Sequence, residues 1–174
     1  MLFTIKTISM LIVVITFTWL NVIVTTEAFA QYYSYNVTIK TSSAIKFSEH
    51  KGKIKIDINY TNSAIKSIST GKEHFTLTPN DVKIAMNRNY TSQIYSFVPL
   101  ANISSIDLRW TLKSPYNPIY LMSTPIIYFD PILISHNYND PNSHLIVTLV
   151  SKYCPITTPI GIKHKSKSTF YPCK

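Results

Sequence analysis

The sequence predicts an all-β fold, an antiparallel two-sheet β-sandwich of about eight strands. Three observations support this prediction. Polar and apolar residues alternate with a period of two in several segments. Outside the first 30 residues, no stretch of a dozen residues shows a helical period. The candidate strands are short and are separated by turn-forming sequences, as in Thr78-Pro79-Asn80-Asp81. We expect one sandwich domain over residues 31–174.

The clearest strand covers residues 53–60, where every even position is apolar and every odd position is polar. One face of such a strand enters a core and the other meets water. The same alternation appears over 33–40 and 106–113, and it predicts that Asn36 and Asn59 lie on water-facing sides. Weaker strand candidates lie near 73–78, 92–98, 126–134, 144–151 and 168–173.

The first 30 residues differ from the rest in kind. An apolar run from Ile8 to Val24 follows Lys6 and ends in Ala28-Phe29-Ala30. Small residues at these two alanine positions are typical of a signal-peptidase site. The alternative is a retained membrane anchor, because about 17 residues is near the lower limit for spanning a bilayer. We expect residues 1–30 to be a cleaved signal peptide and the domain that follows to be secreted and extracellular.

The balance of charge and glycine limits the function. The chain carries 17 Lys and Arg against 8 Asp and Glu, a formal net charge of +9. A basic secreted protein attracts anionic lipid, sulfated glycan or acidic partners, whereas nucleic acid is not expected in that compartment. The three glycines are isolated, so they form no phosphate-binding loop, and no Gly-x-Ser-x-Gly motif occurs. We therefore expect neither an enzyme nor a cofactor.

One histidine-containing segment has the residue types of a metal site. His136, Asp140 and His144 could surround a metal if they share a loop, and Asp130 with Asp140 could hold calcium. A polar hairpin loop between two strands explains the same residues more simply. We therefore expect no metal.

Two covalent features fit an oxidising compartment. Cys154 and Cys173 are an even pair, which predicts a disulfide that stabilises the fold by roughly 3 kcal/mol. Free thiols or a two-cysteine zinc site are the alternatives. Four N-glycosylation sequons also occur and predict a glycoprotein, at Asn36, Asn59, Asn89 and Asn102.

Two segments are candidate binding surfaces. The segment 114–125 contains three prolines, which disfavour a regular strand because proline lacks the N–H donor. Its large side chains would suit a loop that enters a lipid interface or meets a partner: Tyr116, Ile119, Tyr120, Leu121 and Met122. Alternatively they fold back and close one end of the sandwich, and the sequence leaves both interpretations open. The second candidate is a basic patch of Lys163, Lys165 and Lys167 inside the predicted disulfide loop, or else an ordinary solvated loop.

The order of several landmarks resembles a known module. These landmarks are the opening strand 35–40, Gly52-Lys53-Ile54-Lys55-Ile56 leading into 60–63, Ile106-Asp107-Leu108-Arg109-Trp110 with Asn117-Pro118 after it, Tyr153-Cys154-Pro155, and Phe170-Tyr171-Pro172-Cys173. Together they resemble the PLAT (or LH2) domain, the C-terminal β-sandwich of the pancreatic lipase family, which is also attached to lipoxygenases. The chain has fewer glycines and acidic residues than such domains usually have, which argues against calcium binding.

The resemblance implies a free-standing, non-catalytic module, since in that family the catalytic triad belongs to the other domain. It also implies that the loop after Trp110 faces lipid or a lipid-associated protein partner. The alternative function is a secreted interaction factor that acts on an extracellular receptor or host protein without lipid binding.

Overall fold

The computed structural model describes residues 32–62, 69–116, 118, 120, 123–139 and 145–174. The predicted signal peptide, residues 1–30, lies outside the described residues. The described part forms eleven strands, with a short 3₁₀ turn at Leu100–Asn102 before the sixth. They are β1 (Tyr33–Lys40), β2 (His50–Asn62), β3 (Ser69–Thr76), β4 (Val82–Ile84), β5 (Asn89–Ser96), β6 (Ile103–Leu112), β7 (Ile126–Phe129), β8 (Ile132–Asn139), β9 (Ile146–Cys154), β10 (Ile160–Lys163) and β11 (Lys167–Pro172). No helix in these ranges is long and apolar enough to cross a membrane.

The strands form one nearly closed sheet and a small second one. The main order is β3-β2-β6-β11-β9-β8-β1-β5, with β4 paired to β2, and β7 pairs with β10 in the small sheet. Every pairing is antiparallel. β11 pairs with β6 through residues 167–170 and with β9 through Tyr171 and Pro172, so it turns the corner between the two layers. The predicted antiparallel β-sandwich is confirmed.

The core follows from the period-two pattern of the three predicted strands. Ile54, Ile56 and Ile58 of β2 are fully buried, as are Ile106, Leu108 and Trp110 of β6 and Tyr35, Val37 and Ile39 of β1. Burying such a side chain stabilises the fold by about 1.5–3 kcal/mol. The intervening polar residues lie on the outer faces, as alternation requires.

The single strand predicted near 126–134 is wrong, because the segment forms two strands. β7 ends at Phe129 and β8 begins at Ile132, with Asp130 and Pro131 between them. Pro131 has no N–H to donate, so the ladder stops there. The two halves then take different partners, β10 for β7 and β1 with β9 for β8.

Two contacts hold the layers together at opposite seams of the sandwich. At the β9–β11 corner, Cys154 and Cys173 form the predicted disulfide, with their Cα atoms 5.1 Å apart. At the other seam, Glu73 of β3 reaches the end of β5. Its Oε2 accepts a hydrogen bond from the Ser96 hydroxyl (2.5 Å), and its Oε1 accepts one from the Phe97 backbone N–H (3.1 Å).

Candidate functional site

Trp110 forms the buried floor of one end of the sandwich. Because it alternates with Arg109 and Thr111 near the end of β6, its indole points into the core and is fully buried. Its Nε1–H donates a 2.7 Å hydrogen bond to the Ile162 carbonyl of β10, which satisfies the one polar atom of the ring. The indole therefore ties the small sheet to β6.

Two histidines flank this indole. The His50 ring stacks on it with centroids 5.9 Å apart, and the His164 ring lies 5.6 Å away at a steeper angle. Burial lowers the pKa of His50, and burial together with the charge of Lys165 lowers the pKa of His164. The Nδ1 atom of His164 accepts a 3.1 Å hydrogen bond from the Leu112 N–H, which requires that nitrogen to be unprotonated.

A cleft of about 410 Å³ opens beside this floor. Its walls combine aromatic and apolar side chains with the hydroxyl groups of Ser48, Ser123 and Thr124, and Lys46 supplies one cation. The residues that shape it are Lys46, Phe47, His50, Tyr120, Pro125 and Tyr128. A cleft with such mixed walls suits an amphipathic group, whose apolar part would lie against the aromatic rings and whose polar part would meet the hydroxyl groups.

The proline-rich segment of the sequence prediction borders this cleft. Tyr116 is 89% exposed, whereas Tyr120 is half-buried and its ring meets the edge of His50 at 5.8 Å between centroids. One tyrosine thus points outward and the other folds back against the core. Ile119, Leu121 and Met122 lie outside the described residues, so the binding role of this segment stays a prediction.

The basic turn between β10 and β11 lies at the same end. The His164 N–H donates to the Pro125 carbonyl (3.0 Å), and the Lys165 N–H donates to the Trp110 carbonyl (3.1 Å). Lys163 and Lys165 are exposed in this turn. Lys167 points elsewhere, since its Nζ lies 2.9 Å from Asp107 Oδ2 on the outer face of the sheet. We call the floor, the cleft, the described part of 113–125 and the turn 163–166 the Trp110 end.

The sequons differ in accessibility. Asn36 and Asn89 are exposed on β1 and β5, as a glycan attachment site must be. Asn102 is half-buried in the 3₁₀ turn. Asn59 is less open to water than the alternation predicts, because its Nδ2 donates a 3.1 Å hydrogen bond to Ser105 on the neighbouring strand. Glycosylation itself stays a prediction.

The residues weighed as metal ligands do not converge in the described part of the chain. His136 lies in β8 rather than in a loop, with its Nδ1 2.8 Å from the Ser34 carbonyl and its ring beside Tyr35 and Tyr138. Asp130 pairs with Lys40 at 3.6 Å. Asp140 and His144 lie outside the described residues, and no cluster of three potential metal ligands occurs among those described.

Sequence reasoning missed an apolar surface on the β8–β9 hairpin. Leu145, Ile146 and Val150 are each at least 60% exposed, and Leu149 is 46% exposed. The run Leu145-Ile146-Val147-Thr148-Leu149-Val150 is typical of a strand buried on both faces, so the sequence predicts a strand here and no exposed surface. Its exposure depends on how far the hairpin extends past its neighbours, which no local pattern encodes.

No family model matches the chain, and no curated protein matches it in sequence. Its structure, however, is similar to part of several solved lipoxygenase chains. The crystal structure of Delta413-417:GS I805W LOX matches with a TM-score of 0.53 and 11% identity, over 83% of this chain and 17% of the other. The I805A form of the same LOX gives a TM-score of 0.51 with 10% identity over the same shares. An anaerobic crystal structure of delta413-417:GS LOX in complex with arachidonate gives 0.50, again with 10% identity and the same shares.

The fold resembles a lipoxygenase PLAT-like β-sandwich domain. The chain spans less than a fifth of the length of these lipoxygenases, and the matched part is their non-catalytic domain. The likeness therefore concerns the fold alone.

Proposed function

We propose that this protein is a secreted, non-catalytic β-sandwich that binds a lipid surface, or a protein associated with one, through the Trp110 end. One observation carries the proposal. The apolar segment and the basic turn, separate in sequence, are joined by the hydrogen bonds from His164 to Pro125 and from Lys165 to Trp110. Apolar and cationic groups at one end match the two parts of an anionic lipid interface.

Each group has a defined task in this proposal. The exposed Tyr116 would sit at headgroup depth, where tyrosine is favoured in membranes. Lys163 and Lys165 would each add about 1 kcal/mol near an anionic surface. The aromatic side of the neighbouring cleft would take an apolar group of the lipid or of the lipid-associated partner, and its hydroxyl groups would meet a polar group beside it.

Co-sedimentation tests the proposal. The protein, without residues 1–30, is mixed at low salt with vesicles of phosphatidylcholine containing phosphatidylserine. We expect binding that weakens at least about tenfold in a variant combining Tyr116→Asp with Lys163→Gln and Lys165→Gln. The matched control is Tyr95→Asp, which alters another exposed tyrosine, on β5. Absence of binding by the unaltered protein, or equal loss in the control, would reject the proposal.

Secretion is a separate part of the proposal and has its own test. It is supported by the apolar N-terminal run with its Ala28-Phe29-Ala30 end and by the Cys154–Cys173 disulfide, which persists in oxidising compartments. Expression in a secreting eukaryotic cell should give a product in the medium that begins at Gln31 by N-terminal sequencing. Retention in the membrane fraction with Met1 intact would contradict it.

A second candidate function is favoured by the β8–β9 hairpin. Ile146 and Val150 are exposed on one face of β9, and exposed apolar residues that lie together mark protein interfaces. In this alternative the protein binds an extracellular receptor or host protein without lipid. Pull-down from extracellular fluid with the unaltered protein and with Ile146→Asp plus Val150→Asp separates the two: a partner lost only with the hairpin variant supports the alternative.

A further inference from the structure

The outer face of the sheet formed by β3, β2, β6 and β11 is lined with cations. Ile54 and Ile56 of β2 point inward, so Lys51, Lys53 and Lys55 point outward on the same strand. Alternate residues of a strand are spaced by about 6.8 Å. β2 therefore presents a row of three evenly spaced lysines.

This row continues across the sheet through the strand register. Lys55 lies opposite Arg109 of β6, and Arg109 lies opposite Lys167 of β11. Neighbouring strands are about 4.8 Å apart, so three positive side chains stand side by side across three strands. Like charges directly opposite each other destabilise a sheet unless other groups compensate them.

Buried carboxylates compensate only one part of this face. Asp57 and Asp107 lie opposite each other on β2 and β6, and the Nζ of Lys72 bridges them at 3.1 and 3.0 Å. Asp57 also pairs with Arg109 at 3.2 Å, and Asp107 pairs with Lys167 at 2.9 Å. These pairings hold the cations of β3, β6 and β11 in place.

The lysines of β2 have no such compensation. Among the described residues, no carboxylate forms an ion pair with Lys51, Lys53 or Lys55. Beside this row, two buried polar atoms, Nε of Arg109 and Oγ1 of Thr111, have no hydrogen-bond partner in the described part of the chain. Thr111 lies opposite Lys53 and Arg109 opposite Lys55. The face thus carries uncompensated positive charge, and the two unpaired polar atoms lie buried beneath it.

The chemistry of this face selects among polyanions. No large apolar side chain is exposed on β2, and the described residues of β6 beside it are likewise without one. A membrane-binding surface combines cations with apolar residues, and single-stranded nucleic acid is bound by aromatic stacking as well as by charge. A face whose central strands, β2 and β6, carry regularly spaced cations and no exposed aromatic ring instead fits a chain whose charges repeat along its length and which has no base or acyl group to bury.

We propose that this face is a binding site for a linear sulfated polysaccharide. The sulfates lie over the lysine row of β2 and the junction with Arg109, and the chain runs along the flat side of the sandwich. This site is separate from the Trp110 end and does not depend on the lipid-binding proposal. Lys163 and Lys165 belong to the Trp110 end. Replacing them therefore tests whether the loss of any two positive charges is enough to weaken binding of the polysaccharide.

The test uses heparin as the probe and measures its affinity by titration between 0.05 and about 0.3 M NaCl, a range chosen because polyanion binding depends steeply on salt. We expect Lys53→Gln with Lys55→Gln to weaken heparin binding at least about tenfold. The slope of log affinity against log salt concentration should fall by about two, because each lost contact to a sulfate lowers it by roughly one. The control Lys163→Gln with Lys165→Gln should change affinity much less. Selectively desulfated heparin should bind weakly to the unaltered protein.

Several results would overturn the inference. They are unchanged heparin affinity in the β2 variant, an equal loss in the control variant, or equal affinity for desulfated heparin. Tighter binding to duplex DNA or to anionic vesicles, lost with the same β2 variant, would assign the face to those ligands instead. If the double variant fails to fold, as judged by its thermal transition, the exposed single variant Lys51→Glu gives the same comparison and should weaken heparin binding several-fold.

Discussion

Gly52 of β2 lies tightly against the backbone of the neighbouring strand β6. A Cβ at this position would lie 2.3 Å from the Thr111 carbonyl oxygen, which is backbone and cannot rotate away. We expect Gly52→Ala to lower the free energy of unfolding by about 1–3 kcal/mol, the usual cost of overpacking. Urea denaturation measures it, and Gly161→Ala is the control, since the added methyl there meets side-chain atoms of Tyr128 and Ile126. An equal or smaller effect at Gly52 would contradict the packing argument.

Lys165 occupies a left-handed backbone conformation in the basic turn, with φ at 66°. This conformation is unfavourable by about 1 kcal/mol for a residue with a Cβ, and glycine avoids the cost. We expect Lys165→Gly to leave the thermal midpoint unchanged or to raise it slightly. Lys163→Gly, in extended strand, should instead destabilise by about 0.5–1 kcal/mol. The reverse order of the two midpoints would be evidence against this account.

The sheet formed by β2, β3, β6 and β11 depends on two buried acids. Burial alone would raise the pKa of Asp107, but hydrogen bonds from Lys167, Thr169 and Lys72 outweigh it and place the pKa well below the usual 3.8. The pKa of Asp57 is also lowered, because hydrogen bonds from His74 and Lys72 outweigh its burial. Carboxylates with lowered pKa values stabilise the fold fully above their unfolded pKa and lose that contribution as the pH falls toward the folded pKa.

We therefore expect the free energy of unfolding to fall as the pH is lowered from about 4 toward 2. Asp107→Asn removes one of the two groups, so it should destabilise the protein near pH 7 and flatten the decline below pH 4. Thermal unfolding followed across this range measures both effects. A decline as steep in the variant as in the unaltered protein would show that other carboxylates cause it.

The strands differ in how well their sequence predicted them. β1, β2 and β6 alternate clearly because one face is buried and the other meets water, and they were found within a few residues of their ends. β4 and β10 were missed because three or four residues are too few to show a period. Alternation predicts that Asp57 faces water, yet it is buried by long cations from two neighbouring strands, Lys72 of β3 and Arg109 of β6. Partners of that kind are set by register, which single-strand patterns do not contain.

At the scale of the whole molecule, the sequence indicates the separate components of the Trp110 end but does not predict that they lie close together. The proline-rich segment and the basic turn each stood out by composition. That they share one end depends on the pairing of β7 with β10, which brings residues 126–129 against 160–163. The cationic face of β2 was missed for the same reason. Its lysines occupy ordinary outward positions in the strand pattern, and only the register places Arg109 and Lys167 next to them.

The two seams that close the sandwich make a prediction about the whole fold. At the β9–β11 corner, two residue pairs and the hydrogen bond from the Cys173 N–H to the Lys152 carbonyl join the layers, and the disulfide across a sequence separation of 19 is the covalent restraint there. Replacing both cysteines with serine should lower the free energy of unfolding by about 3 kcal/mol, because the unfolded chain gains the freedom of an open loop. Urea denaturation measures the loss, and reduction of the unaltered protein should reproduce it.

Glu73→Gln weakens the opposite seam, where Glu73 accepts hydrogen bonds from Ser96 and Phe97. If the layers separate as a unit, Glu73→Gln should lower the free energy of unfolding by more when the disulfide is absent than when it is present. A double-mutant cycle measures that difference. Purely additive losses would mean that each seam stabilises only its own strands. In that case the sandwich is held by its central core of β1, β2 and β6, and either seam can open while the Trp110 end and the cationic face stay folded.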